Sequence, residues 1–126
     1  MWFFLDTSVR GVVRLALLPR TGRIRSRTLR RLRPNPIVAS ASFLTPVDRN
    51  ALSGVCVVAG PGSFSAVRSG VLLANMLSRV SSLPLMGISV AEASDLSALR
   101  TRLVEGDIHP APYVAPVYDA EPNITC

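Results

Sequence analysis

The stretch Val55-Cys-Val-Val-Ala-Gly-Pro-Gly-Ser-Phe-Ser-Ala-Val-Arg-Ser-Gly70 decides the fold class. Val55 to Ala59 is a short apolar run and reads as a buried strand. Gly60, Pro61 and Gly62 stop it, because proline fixes φ and glycine admits angles that other residues avoid. Ser63 stands where a helix N-cap belongs, its oxygen placed to accept an orphan backbone N–H. From Phe64 to Val80, apolar side chains recur at 64, 67, 71, 72, 76, 77 and 80, which is a helical period. Strand, tight corner and helix in that order make the middle of an α/β domain.

The corner has two readings. Amides converging at a helix N-terminus can cradle a phosphate or carboxylate, through Gly60, Gly62 and Ser63. They can equally be a turn that packs the helix back onto its own sheet. The turn is favoured, since the stretch lacks the Lys-Ser/Thr of a P-loop and the spacing of a dinucleotide fingerprint. Within the helix, Ala66, Gly70, Ala74 and Ser78 recur every fourth residue. A glycine inside a helix costs about 1 kcal/mol against alanine, and a closely packed second helix, from this chain or a partner, would offset that cost.

Gly60-Pro-Gly-Ser-Phe-Ser-Ala-Val-Arg68 resembles the Gly-Pro-Gly-Ser-Phe-Thr-Gly-hydrophobic-Arg signature of the TsaB (YeaZ) family, accessory subunits of tRNA threonylcarbamoyladenosine synthesis. Ser65 and Ala66 depart from that signature conservatively. Leu83-Pro-Leu-Met-Gly-Ile-Ser-Val-Ala-Glu-Ala93 resembles the family's next strand and turn, and Leu5-Asp-Thr-Ser8 its opening motif. The resemblance covers residues 1–98, in the family's order.

The chain has 126 residues, the size of one domain, and its 48% hydrophobic content suffices for a core. No apolar run approaches the roughly 20 residues that cross a bilayer. Met1-Trp-Phe-Phe-Leu meets Asp6 at once and is no signal peptide. Cys56 in a buried strand and Cys126 at the end read as free thiols. These features point to a cytoplasmic protein without a membrane partner. The net charge is +6 and every positive residue is arginine. Arg20, Arg23, Arg25, Arg27, Arg30, Arg31 and Arg33 crowd together. The block reads either as a solvated strand and turn or as a face for RNA or an acidic protein. Arg23, Arg25 and Arg27 alternate and would share one strand face, and no aromatic is interleaved.

Taken in order, Trp2 to Leu5, Val12 to Leu18 and Arg23 to Leu32 read as an antiparallel meander with a hairpin turn at Pro19 to Gly22. Pro34-Asn-Pro36 breaks it. Ile37 to Leu44 reads as a short helix and Thr45 to Ser53 as a connection in which Asp48 caps a turn. A strand at Leu85 to Ile88 and a helix at Val90 to Leu103, capped by Ser89, close the lobe. This is the order of a ribonuclease H-like lobe, of the actin, sugar-kinase and Hsp70 type. It predicts a mixed five-stranded sheet, order 3-2-1-4-5, flanked by helices. The lobe spans residues 1–104. Residues 105–126, with Pro110, Pro112, Pro116 and Pro122, read as an extended tail. Pro116 to Pro122 resembles the closing stretch of full-length members, which carry a second lobe before it. On that reading, an internal deletion has removed the second lobe here.

In that fold the Asp6 turn and the Gly60 corner lie together at the carboxyl ends of neighbouring strands, where α/β folds bind ligands. Asp6, Thr7 and Ser8 thus join Gly60, Gly62 and Ser63 as nucleotide candidates, against the simpler reading that Asp6 opens an Asx-type turn. His109 is the only histidine, no Cys/His cluster offers a zinc site, and Ser63 and Ser65 have no histidine base nearby in sequence.

The resemblance implies a non-catalytic scaffold subunit that pairs with a TsaD-like catalytic paralogue, with no metal or cofactor of its own. ATP or ADP with magnesium would bind only at a partner interface. A TsaE-like ATPase, a homodimer through the same helices and indirect contact with tRNA complete the implied partners. Pairing is expected on the ridge Ala66, Gly70 and Ala74, with Phe64, Val67, Val71 and Leu77, and on Ile37, Ala41 and Leu44 of the short helix. The alternative is a small nucleotide-binding or hydrolysing domain built on the Asp6 turn and the Gly60–Ser63 corner.

Overall fold

The computed structural model describes residues 1–31, 34–106 and 111–117, with the side chain of Phe64 also outside the description. The meander forms as the turn chemistry dictates. Strands β1 (Trp2–Asp6), β2 (Val12–Leu18) and β3 (Arg25–Arg30) pair antiparallel, with Gly11 at φ +79° and Gly22 at φ +95° in the two turns. β4 (Gly54–Gly60) and β5 (Leu85–Ser89) then add in parallel, giving the order β3-β2-β1-β4-β5. The α/β class and the strand order are those read from the sequence.

The helices follow their caps. α1 (Pro36–Phe43) starts at Asn35, whose Oδ1 accepts from the amides of Ile37 at 2.9 Å and Val38 at 3.3 Å. The Thr45 to Ser53 connection contains a helix, α2 (Pro46–Asn50). There the Thr45 hydroxyl accepts from the Asp48 amide and the Asp48 carboxylate accepts from the Thr45 amide, a reciprocal capping box. The long helix is α3 (Phe64–Ser81). The single helix expected over Val90 to Leu103 is two pieces. Ser89 and Glu92 do bond reciprocally, at 3.1 and 3.2 Å, but hold only a 3₁₀ turn, Glu92–Ser94. Asp95 is extended at φ −127° and its carboxylate accepts from Ala98, so a second cap starts α4 (Leu96–Val104). β3 likewise begins at Arg25. Arg23 lies ahead of the strand and does not share a strand face with Arg25 and Arg27.

Side chains alternate across the sheet with period two. Phe3, Leu5, Val13, Leu15, Leu17, Val55, Val57 and Leu85 face the layer that includes α1 and α3. Phe4, Ala16, Leu18, Cys56, Val58, Met86 and Ile88 face Ala93 in the 3₁₀ turn and Leu99 and Leu103 of α4. Strands buried on both faces explain why Val55 to Val58 are apolar without alternation.

Residues 111–117 lie on this lobe. The Ala111 amide donates to Leu85 O at 2.8 Å and the Val117 amide to Ala59 O at 2.6 Å. Between them, Asn75 of α3 accepts from the Val114 amide at 3.1 Å and donates to its carbonyl at 3.0 Å. Val114 is buried over Gly87, where a side chain would collide with it. His109 and the stretch from Tyr118 to Cys126 lie outside the described residues.

Candidate functional site

The Asp6 turn and the Gly60 corner do meet at the carboxyl ends of β1 and β4. Asp6, Thr7 and Ser8 are nonetheless buried. Asp6 Oδ1 accepts from the Ser8 amide at 2.8 Å and from the Ser8 hydroxyl at 2.6 Å, while Oδ2 faces Arg14 at 3.3 Å. This is the Asx-type turn. The Ser63 amide donates to Ser8 O at 3.2 Å, and Gly62 is tight against the same carbonyl. The Val90 amide donates to Gly60 O at 3.1 Å. Ser63 makes no side-chain cap bond, contrary to expectation. The six nucleotide candidates are therefore brought together: Asp6, Ser8 and Ser63 bond to one another, while Thr7 and Gly60 bond to Ala66 and Val90. Beside them a cleft of about 280 Å³ is lined by Thr7, Arg10, Val12, Pro34, Ser65 and Ser69.

The small-residue ridge points inward, which corrects its placement on a partner surface. Gly70 and Ala74 are buried, and a side chain on Gly70 would run into Thr7. Thr7 Oγ1 donates to Ala66 O at 2.5 Å, and Ser78 Oγ donates to Leu83 O at 2.5 Å. Val67 and Val71 are buried in the same core, and Leu77 packs against it. The physical reason is close approach. Ala66 and Gly70 are small so that α3 can seat on the β1 turn of its own sheet, Ala74 lies in the core beneath the helix, and Ser78 ties the helix's end to Leu83. Leu44 is buried as well, while Ile37 and Ala41 are exposed. Phe64 is the first residue of α3, and its side chain lies outside the description.

The outward stripe of α3 is Leu72, Met76 and Val80, at 53%, 59% and 82% exposure. Ile37 of α1 is exposed beside it at 59%, while Val38, at 62%, turns toward Arg27, Leu29 and Arg31 of the β3 side. A groove of about 510 Å³ joins the two helices, lined by Pro34, Pro36, Ile37, Ser69, Leu72 and Met76. The signal was present in the sequence. Positions 72, 76 and 80 form a second apolar stripe, about 160 to 280 degrees around the helix from Gly70 and Ala74 at 100° per residue.

Burial pushes the Cys56 thiol up to about 12. Among the described residues, no three of His, Cys, Asp and Glu gather as a metal site, and no helix is long and apolar enough to cross a membrane.

Residues 31–123 match the family model described as TsaD: tRNA N6-adenosine threonylcarbamoyltransferase. The chain belongs to that family. No curated protein matches this TsaD-family chain. Two solved structures share its fold. One is described as an uncharacterized protein with similarity to peptidase YeaZ from Pseudomonas aeruginosa, with TM-score 0.63 and 22% identity over 74% of this chain and 46% of that one. The other is YeaZ from Pseudomonas aeruginosa, with TM-score 0.62 and 22% identity over 74% and 47%. The TsaD-family chain thus spans about half the length of these solved relatives.

Proposed function

We propose that this chain is a non-catalytic scaffold subunit in tRNA threonylcarbamoyl transfer, pairing with a TsaD-like catalytic paralogue. The observation that carries the pairing is the exposed apolar groove between α1 and α3. Large apolar side chains are scattered singly on most surfaces, but a contiguous patch on two adjacent helices marks an interaction face. Ile37, Leu72 and Met76 are its centre, and Val80 continues the α3 stripe one turn on. Family membership supplies the chemistry to which the pair contributes. Co-purification of the chain with a TsaD-like protein from the same cell tests this reading. Recovery of the chain without such a protein, from cells that express both, would count against it.

A second reading places a nucleotide in the cleft beside the β1 turn. Asp6 would first have to release Arg14 and both bonds from Ser8 before it could hold magnesium. Titration calorimetry with ATP and magnesium separates the two: binding lost in Asp6→Ala favours the nucleotide site, and no heat favours the scaffold.

A further inference from the structure

We infer that the β3 edge of the sheet is an RNA-phosphate-binding face. The first observation is charge segregation. Between Asp6 and Asp48 the sequence holds no acidic residue, yet it carries Arg10, Arg14, Arg20, Arg23, Arg25, Arg27, Arg30, Arg31 and Arg33. Both bordering carboxylates are already engaged: Asp6 with Arg14 at 3.3 Å and Asp48 with Arg25 at 2.5 Å. Among the described residues no carboxylate lies within ion-pair distance of Arg10, Arg20, Arg23, Arg27, Arg30 or Arg31.

The second observation is where the fold puts them. β3 ends the sheet, so one side of it has no neighbouring strand. Arg20 and Arg23 stand at its entry and Arg27 and Arg30 along it, all exposed. The Arg31 amide donates to Gly11 O at 2.9 Å, which ties the far end of the row beside Arg10. Six strand residues span roughly 20 Å at about 3.4 Å each. Arg27 is held without being neutralised, its guanidinium 5.3 Å from the Phe43 ring centre and donating to Ser42 Oγ. A row of arginines on an edge strand also blocks edge-to-edge pairing, but here the arginines continue past both ends of β3, which that protection does not require.

The chemistry of the row selects the occupant. Guanidinium forks fit phosphate oxygens bidentately, and the exposed hydroxyls of Ser26 and Thr28, on the strand face that Arg30 shares and opposite that of Arg27, are further phosphate donors. Ile24 and Leu29 are only half-buried interruptions, and no aromatic stands in the row to stack a base. A protein partner would meet an apolar centre ringed by charge, which this edge lacks. Contact is therefore with the nucleic-acid backbone and carries no base preference. The choice of RNA among polyanions rests on the tRNA-modification reading above; the charged edge does not.

The test uses the full chain and an unmodified tRNA transcript, followed by fluorescence anisotropy over a series of salt concentrations. With about five phosphates neutralised, log K should fall against log salt with a slope of roughly −3 to −4. Replacing Arg20, Arg23, Arg30 and Arg31 together by Gln should weaken binding at least about tenfold and flatten the slope by about 3. The same four changed to Lys should retain most of the affinity, and Leu72→Asp on the apolar groove should retain all of it. Unaltered binding by the Gln variant, a salt-independent affinity, or no binding by the wild type overturns the inference. Poly-glutamate bound in preference to RNA overturns it in favour of an acidic protein. An RNA-binding chain that forms no complex with a TsaD-like protein sinks the pairing reading alone. A complex whose β3 edge ignores RNA sinks this inference alone.

Discussion

Gly70, in the middle of α3, faces the hydroxyl-bearing side chain of Thr7 with no room for a methyl group between them. Thr7 in turn donates to Ala66 O one turn earlier in the same helix. The helix is thereby seated on the end of β1, and this close seat is what the small residues at 66 and 70 provide. Gly70→Ala should gain about 1 kcal/mol in helix propensity yet lose roughly 1–3 kcal/mol to overpacking. Urea unfolding should show a net loss. Thr7→Ala should recover part of it in the double variant, a coupling of about 0.5–3 kcal/mol. Additive losses would mean that the two residues do not oppose each other.

Asn75 holds residue 114 by both its backbone groups. Asn75→Ala should cost about 1–3 kcal/mol, since two hydrogen bonds go and partly buried groups lose their partners. Hydrogen exchange is the sensitive readout. The Val114 and Val117 amides should lose protection while those of β1 keep theirs.

This docking is also where sequence reading stops. Val55 to Gly62 announces its strand and corner because an apolar run ended by glycine and proline can do little else, although Ser63 beyond it does not cap as its type suggests, and the strand order follows from short turns and right-handed crossovers. Asp6 reads as an Asx turn because Ser8 is two residues on. What a stripe faces is different. Period places Ala66, Gly70 and Ala74 together, but only the position of Thr7 shows that they face inward. The grip of Asn75 on Val114 joins residues 39 apart in the chain, and no local pattern encodes it. The split at Asp95 turns on a second cap competing with Ser89, which propensity alone does not rank.

Acid should weaken the attachment of β3 to α2. The Thr45 amide, and then Arg25, hold the Asp48 carboxyl below its ordinary value of 3.8. A group depressed in the folded state contributes stability above its unfolded value, and that contribution is lost as pH falls through the folded value. Glu92 behaves in the same way, through the Ser89 amide and then Arg102. Urea midpoints should therefore be level near neutrality and drop below about pH 4. Asp48→Asn should be less stable at pH 7 and show a shallower acid drop.

Cys56 should resist thiol reagents in the native protein. It is fully buried and its thiol is pushed up to about 12, so at pH 8 the reactive thiolate is scarce and out of reach. Iodoacetamide labelling read by peptide mapping should reach Cys56 only once urea unfolds the chain.

The most direct measurement is light scattering on size-exclusion fractions of this chain mixed with a TsaD-like protein. A complex should form with the wild type and be lost in Leu72→Asp and Met76→Asp, whose own unfolding free energies stay within about 0.5 kcal/mol of wild type because both side chains lie on the surface. A complex that survives both substitutions, or no complex with the wild type, would contradict pairing through the α1–α3 groove.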